Sequence, residues 1–169
     1  MRIQFNDIIE KINQVLPSVI DHMFGGGHAY LALDNPDDIL NSGIEIHVQP
    51  KGKSIKNMRL FSGGEKSLIA ISVLFAILQV RHMPLCVFDE VEAALDQANV
   101  ERFAHYMKHY SDKTQFIVLT HRPGTMAMCD ILYGVTMQQG GVSQMLKVRL
   151  SDAMMMADKV ESVAEEAVS

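Results

Sequence analysis

The sequence predicts an α/β protein: a parallel sheet flanked by helices, with antiparallel strands at both ends of the chain. Three observations point there. Residues 85–88 and 116–119 are short, nearly unbroken apolar runs, as in buried parallel strands, and they alternate with segments of helical period. Residues 29–33 and 43–48 alternate in the manner of antiparallel strands. Residues 131–137 and 142–149 flank Gly140-Gly141, the pattern of a β-hairpin.

The elements follow in chain order. Ile8, Ile9, Ile12, Val15, Leu16, Val19, Ile20 and Met23 recur at helical spacing, and Gly25-Gly26-Gly27 stops that helix. Pro17 lies inside it and predicts a kink or two shorter helices. Asp34-Asn35-Pro36-Asp37-Asp38 is a turn between the first two strands. Residues 49–60 read as a loop bearing Lys51, Lys53, Lys56 and Arg59. A long helix over 65–80, the strand 85–88, a helix over 97–110 and the strand 116–119 come next. Pro123 suits the first turn of a short helix ending near Met128. Residues 1–24 are thus expected as a helical lead-in and 25–150 as one lobe. Residues 151–169 form an Ala-, Met- and Glu-rich tail, frayed or weakly helical.

Composition narrows the class. The 169 residues suffice for one domain with a real core, and 48% apolar with 21% charged residues is globular rather than disordered. Fifteen basic and 20 acidic residues give a net charge of −5, so contact with nucleic acid would need a local patch. The lysines of 49–60 offer one, although a solvated loop explains them as well. Cys86 and Cys129 sit in apolar segments and read as core thiols of a reducing cytosol. The opening residues mix polar and apolar types, unlike a signal peptide. Residues 68–80 are too short for a membrane span of about 20 residues and read as a buried helix. A cytoplasmic protein with no membrane partner is expected. The seven histidines show no H-E-x-x-H or Cys-His pattern, so they predict no metal site. Met154-Met155-Met156 reads as a flexible apolar patch.

Chemistry concentrates in three places. Phe61-Ser62-Gly63-Gly64-Glu65-Lys66-Ser67 immediately precedes the long helix. Glycines let backbone amides approach a phosphate, the helix N-terminus adds partial positive charge, and Ser62 adds a hydroxyl. A serine cap on a flexible turn explains the same residues. Leu85-Cys86-Val87-Phe88-Asp89-Glu90 ends in adjacent carboxylates, which in nucleotide hydrolases can orient magnesium and activate water. Surface acids capping a strand are the plainer account. Thr120-His121-Arg122 closes the second strand, where a histidine can reach the same phosphate or serve structure alone.

In that order the motifs resemble an ABC-type ATPase head. Ser62-Gly63-Gly64-Glu65 resembles the ABC signature, with Phe61 in place of the usual leucine. Leu85 to Glu90 resembles Walker B, Ala94-Leu95-Asp96 the D-loop, and Thr120-His121-Arg122 the switch histidine. Val91-Glu92 stands where transporters and double-strand-break repair ATPases carry Pro-Thr. With Phe24-Gly25-Gly26-Gly27-His28-Ala29-Tyr30-Leu31 and Tyr133-Gly134-Val135-Thr136, this resembles the carboxy-terminal lobe of an SMC (structural maintenance of chromosomes) head, of bacterial type. The resemblance runs from about Phe5 to Leu150.

No P-loop accompanies these motifs. Gly52-Lys53-Ser54 mimics its end, but His47 holds the first glycine position and Pro50 intervenes. The resemblance therefore implies half of a P-loop ATPase head, inactive alone, with Met1 expected to be an introduced start. It implies that Asp89 helps hold Mg2+, Glu90 is the general base, and His121 meets the γ-phosphate of ATP. Ser62, Gly63, Gly64, Glu65 and Asp96 would serve ATP on the opposite head. Implied partners are the amino-terminal lobe of the same head, a second SMC head, a kleisin subunit and, in the full complex, DNA. Implied work is chromosome condensation and segregation in the cytoplasm at the nucleoid. A transporter or DNA-repair ATPase half-domain and a kleisin-docking module are the alternatives.

Overall fold

The computed structural model describes residues 2–35, 37–39, 41–52, 56–137 and 141–149, with backbone alone for residues 2–4, 56, 57 and 59. Met1, Pro36, Lys53, Ser54, Gly140, Leu150 and the tail 151–169 with its methionine run lie outside the described residues. The elements are α1 (Arg2–Phe24), β1 (Gly27–Leu33), β2 (Ile44–Pro50), β3 (Lys56–Asn57), a 3₁₀ turn (Met58–Leu60), α2 (Gly63–Val80) and β4 (Leu85–Asp89). They continue as α3 (Gln97–Tyr110), β5 (Gln115–Leu119), α4 (Pro123–Met126), β6 (Ile131–Met137) and β7 (Ser143–Arg149). The described residues divide into two compact units, one up to Arg122 and one from Pro123 onward.

In the first unit, α1 is one continuous helix through Pro17 rather than two. Proline removes one helical hydrogen bond. Its neighbours Leu16, Val19, Ile20 and Met23 are all buried, and their packing against α2, α3 and β1 outweighs that loss. Asn13 fastens α1 to the sheet: its side-chain amide donates to Leu31 O (2.9 Å) while its oxygen accepts from Leu31 N (2.7 Å).

β1, β2 and β3 form an antiparallel sheet in that order. Residues 56–57, expected within a loop, instead pair with Val48 and His47, satisfying backbone groups on the outer edge of β2. Gly27 has φ +134°, and a Cβ there would lie 2.7 Å from Gln49 O, so the tight passage from α1 into β1 requires glycine.

α2 begins at Gly63, two residues before the expected start. Over its 18 residues, five more than the apolar run 68–80, it is long and apolar enough to cross a membrane by length and composition. It is packed as a core helix. Leu68, Ile69, Ile71, Phe75, Ala76 and Leu78 are buried, and Ser72 Oγ donates to Leu68 O (2.8 Å). Phe75 lies at the centre, with the rings of Tyr106 (5.0 Å), Phe88 (5.8 Å), Phe116 (6.0 Å), Phe103 and Tyr110 (both 6.2 Å) around it. Most are edge-on or tilted, the arrangement ring quadrupoles favour. That cluster joins α2, α3, β4 and β5.

β4 and β5 pair parallel, Leu85 opposite Gln115 through Asp89 opposite Leu119. The apolar runs predicted buried strands, and in this chain the burial is one-sided. One face, with Phe88 and Phe116, meets the aromatic cluster. On the other, Leu85 (45%), Val87 (57%), Ile117 (47%) and Leu119 (49%) are exposed, since α2 and α3 cover a single side. Burial pushes the Cys86 thiol above its ordinary value, leaving it protonated and a poor nucleophile at neutral pH.

The second unit carries α4 and an antiparallel hairpin of β6 and β7, Ile131 opposite Arg149 through Met137 opposite Ser143. Val135, Met137, Val142, Met145 and Leu146 are exposed along it, and Lys147 Nζ lies 5.8 Å from the Tyr133 ring centre.

If the aromatic cluster is the keystone of the first unit, Phe75→Ala should destabilise the chain by about 3–5 kcal/mol in urea unfolding. A loss below about 1 kcal/mol would place the core elsewhere.

Candidate functional site

β4 and β5 run parallel, so their carboxyl ends emerge side by side. Asp89 is the last residue of β4 and is exposed. At Glu90 the chain turns with φ +47°, the one left-handed non-glycine residue among the described residues. Such a conformation costs on the order of 1–3 kcal/mol and persists where neighbours fix it. Here Glu90 N donates to Leu119 O (3.0 Å) and Ala93 N donates to Glu90 O (3.0 Å). The turn sets the Glu90 carboxylate beside the imidazole of His121, Oε1 to Nδ1 3.3 Å, both exposed. Residues 31 apart in sequence therefore form an acid–imidazole pair at the sheet end.

The loop after Glu90 is laced to the segment after β5. Glu92 is 1% exposed, and its Oε1 accepts a hydrogen bond from Thr120 Oγ1. Thr120 Oγ1 in turn accepts from Arg122 N (3.0 Å). The Arg122 guanidinium donates to Ala93 O (3.0 Å) and Leu95 O (3.3 Å). Sequence reasoning passed over these residues as a group, because nothing in local spacing links Glu92 to a threonine 28 positions away. Asp96 closes the loop as N-cap of α3, accepting from Asn99 N (2.9 Å) and Asn99 Nδ2 (3.1 Å).

The glycine-rich turn sits at the start of α2. Ser62 and Glu65 form a capping box: Ser62 Oγ accepts from Glu65 N (3.3 Å), and Ser62 N donates to Glu65 Oε2 (2.9 Å). The helix-cap account of Ser62 is thus realised. Its hydroxyl hydrogen can still be donated, because the cap uses the oxygen as an acceptor. The two glycines differ. A Cβ at Gly64 would lie 3.1 Å from Ala94 O, so Gly64 lets α2 approach the Asp96 loop closely. A Cβ at Gly63 would meet nothing within 4 Å.

The structure therefore joins Glu90 to His121 and Gly64 to the Ala94 loop, while Ser62, Glu65 and Asp96 each cap a helix. For a magnesium–nucleotide ligand the donor set is chemically suited. Exposed carboxylates at Asp89 and Glu90 can share in holding a hard cation through water, and His121 and the first-turn amides of α2 can face phosphate oxygens. No three His, Cys, Asp or Glu side chains converge as a metal cage among the described residues. Asp89 by itself therefore does not make a complete cation site.

Gly63 and Gly64 separate a structural need from a free surface. Gly63→Ala should stabilise the chain by about 0.4–1 kcal/mol, since the position is helical and open. Gly64→Ala should destabilise it by pressing on Ala94 O. Thermal melts of both variants test this, and a loss at Gly63 would mean a contact that this geometry does not contain.

Residues 10–144 match the family model described as RecF/RecN/SMC N terminal domain. The chain is 56% identical over 149 residues to the chromosome partition protein Smc of Bacillus subtilis (strain 168), covering 88% of this chain and 13% of that protein. It is 54% identical over 147 residues to its counterpart from Mesomycoplasma hyorhinis, covering 87% and 15%. The chain thus spans about one seventh of the length of these relatives. Among solved structures it resembles a chain described under ATP-driven dimerization and DNA stimulated activation of SMC ATPases, with TM-score 0.81, 36% identity and coverage of 95% and 98%. It also resembles an SmcHead bound to the C-winged helix domain of ScpA, with TM-score 0.77, 40% identity and coverage of 87% and 45%. Matched by the family model over most of its length, and by Smc proteins and SMC heads in sequence and fold, the chain belongs to the RecF/RecN/SMC N terminal domain family, on its SMC branch.

Proposed function

We propose that this chain is the carboxy-terminal lobe of an SMC ATPase head. Joined to a P-loop lobe and paired with a second head, it would hydrolyse ATP to drive chromosome condensation and segregation in the bacterial cytoplasm. The observation that carries this reading is the Glu90–His121 pair, held at the ends of two parallel strands beside exposed Asp89. The exposed apolar face of β4 and β5 supports it, being suited to cover by further sheet layers of the amino-terminal lobe.

Each residue then has a task. Asp89 would help hold the magnesium ion. Glu90, fixed by its left-handed turn, takes the proton from the attacking water. His121 steadies the Glu90 carboxylate and faces the γ-phosphate. Magnesium, when bound with ATP, neutralises phosphate charge during transfer. Ser62, Gly63 and Gly64 present hydroxyl and amide donors to the nucleotide of the opposite head, while Glu65 keeps Ser62 in its cap geometry. Asp96 stands at the same interface at the N-terminus of α3. Open space at Gly63 supports the trans reading, since this chain's own packing does not call for glycine there.

A docking role accompanies catalysis. The hairpin exposes Tyr133, Val135 and Met137 at alternate positions of β6 and Met145, Leu146 and Val148 on β7, and related heads are described with ScpA domains bound. We assign kleisin docking to this hairpin. DNA is a partner of the full complex.

With both lobes present, Glu90→Gln should abolish turnover, leave ATP binding intact and trap ATP-bound head dimers in size-exclusion chromatography. Monomeric elution with ATP would count against the assigned base. Ser62→Arg should retain single-head ATP affinity yet lose dimerisation and hydrolysis. If Ser62 serves only as a cap, the variant would instead lose about 0.5–2 kcal/mol of stability and still dimerise.

A further inference from the structure

We infer that Arg122, with Glu92 and Thr120, is a positioning residue that sets the loop 93–96 and thereby couples the hydrolytic pair to the head–head contact surface. The inference rests on the function proposed above.

Arg122 follows His121 directly, and its side chain turns back to grip the carbonyls of Ala93 and Leu95, one on each side of Ala94. The carbonyl between them, Ala94 O, is the atom against which Gly64 packs. Two residues after Ala94, Asp96 caps α3. A guanidinium is well suited to this task, because it presents several donors in a rigid plane and keeps its charge at any working pH. Charge-assisted bonds to two carbonyls fix both the height and the tilt of the loop.

Glu92 fixes the other end. Thr120 Oγ1 uses its hydrogen toward Glu92 and its lone pair toward Arg122 N, so one hydroxyl ties the loop, the residue before His121 and the residue after it. Leu95 N also donates to Glu92 O (2.9 Å), closing the loop on itself. Loss of Arg122 would free the loop between Glu92 and Asp96 while leaving the β4–β5 ladder intact. Ala94 O would then shift against Gly64, and His121 would lose the anchor on its C-terminal side. The residues that meet nucleotide would all remain, but their mutual distances would no longer be set.

The test uses the full protein with both lobes and compares Arg122→Ala, Arg122→Lys, Thr120→Val and the Thr120→Val/Arg122→Ala pair. Arg122→Ala should lower kcat about tenfold or more, the scale expected of misplaced reacting groups, with the ATP affinity of single heads within about twofold of the parent. Arg122→Lys should recover most of the loss, because an ammonium group still donates to the carbonyls. Thr120→Val should act in the same direction more weakly. The double variant should be no worse than Arg122→Ala, since both changes break one network. Unchanged kcat in folded Arg122→Ala protein, multiplicative effects in the double variant, or a lysine no better than alanine would each overturn the inference. Glu90→Gln, assayed in parallel, separates the two levels. If it turns over normally the proposed function fails and takes this inference with it. If it is inactive while Arg122→Ala behaves as the parent, the inference alone fails.

Discussion

The in-register parallel pairing of β4 with β5 is the constraint on which the rest of the first unit depends. It places Asp89 opposite Leu119, so the residues that follow, Glu90 and the Thr120-His121-Arg122 segment, leave the sheet together. The left-handed turn at Glu90 is held by the carbonyl of Leu119, a neighbour supplied only by that pairing. On the covered side, Phe88 and Phe116 stack on one another and meet Phe75, which brings α2 and α3 against the same pair of strands. Core packing and site geometry therefore share a single origin. A slip of β5 by one residue would reverse its faces and separate His121 from Glu90 at once.

Much of this was legible in the sequence, and what was legible was local. The order of helices and strands follows from periodicity and glycine punctuation. The positions of Ser62, Asp89, Glu90, Asp96 and His121 at element ends follow from where those patterns stop. What could not be read depends on partners distant in sequence. Asn13 satisfies the backbone of Leu31, β3 exists because β2 has an edge to pair, and Glu92 is buried because Thr120 awaits it. The apolar runs of β4 and β5 read as buried strands, and within this chain only one of their faces is covered. Their composition reports a burial that α2 and α3 supply on one side only. Pro17 predicted a kink or two shorter helices, and packing keeps α1 a single helix.

Helix caps and the residues proposed to meet nucleotide coincide here for a physical reason. A helix N-terminus has amides in need of acceptors, and the side chains that meet the need, Ser62 at α2 and Asp96 at α3, are polar and stand where a ligand can approach. A capping role therefore does not exclude a role toward nucleotide. The contrast between Gly63 and Gly64 is more informative than the presence of either. One glycine is explained by the Ala94 carbonyl, and the other by no described residue within 4 Å. The apolar outer face of β4 and β5 carries the same message, residues whose type exceeds what their own surroundings require.

The central claim is that this lobe holds half of a nucleotide site, and magnesium-ATP calorimetry tests it most directly. Titration into the isolated chain should give no tight binding, whereas titration into an equimolar mixture with a separately expressed amino-terminal lobe should give a defined site and measurable hydrolysis. A micromolar site in the isolated chain, or no gain on mixing the two folded lobes, would contradict the account.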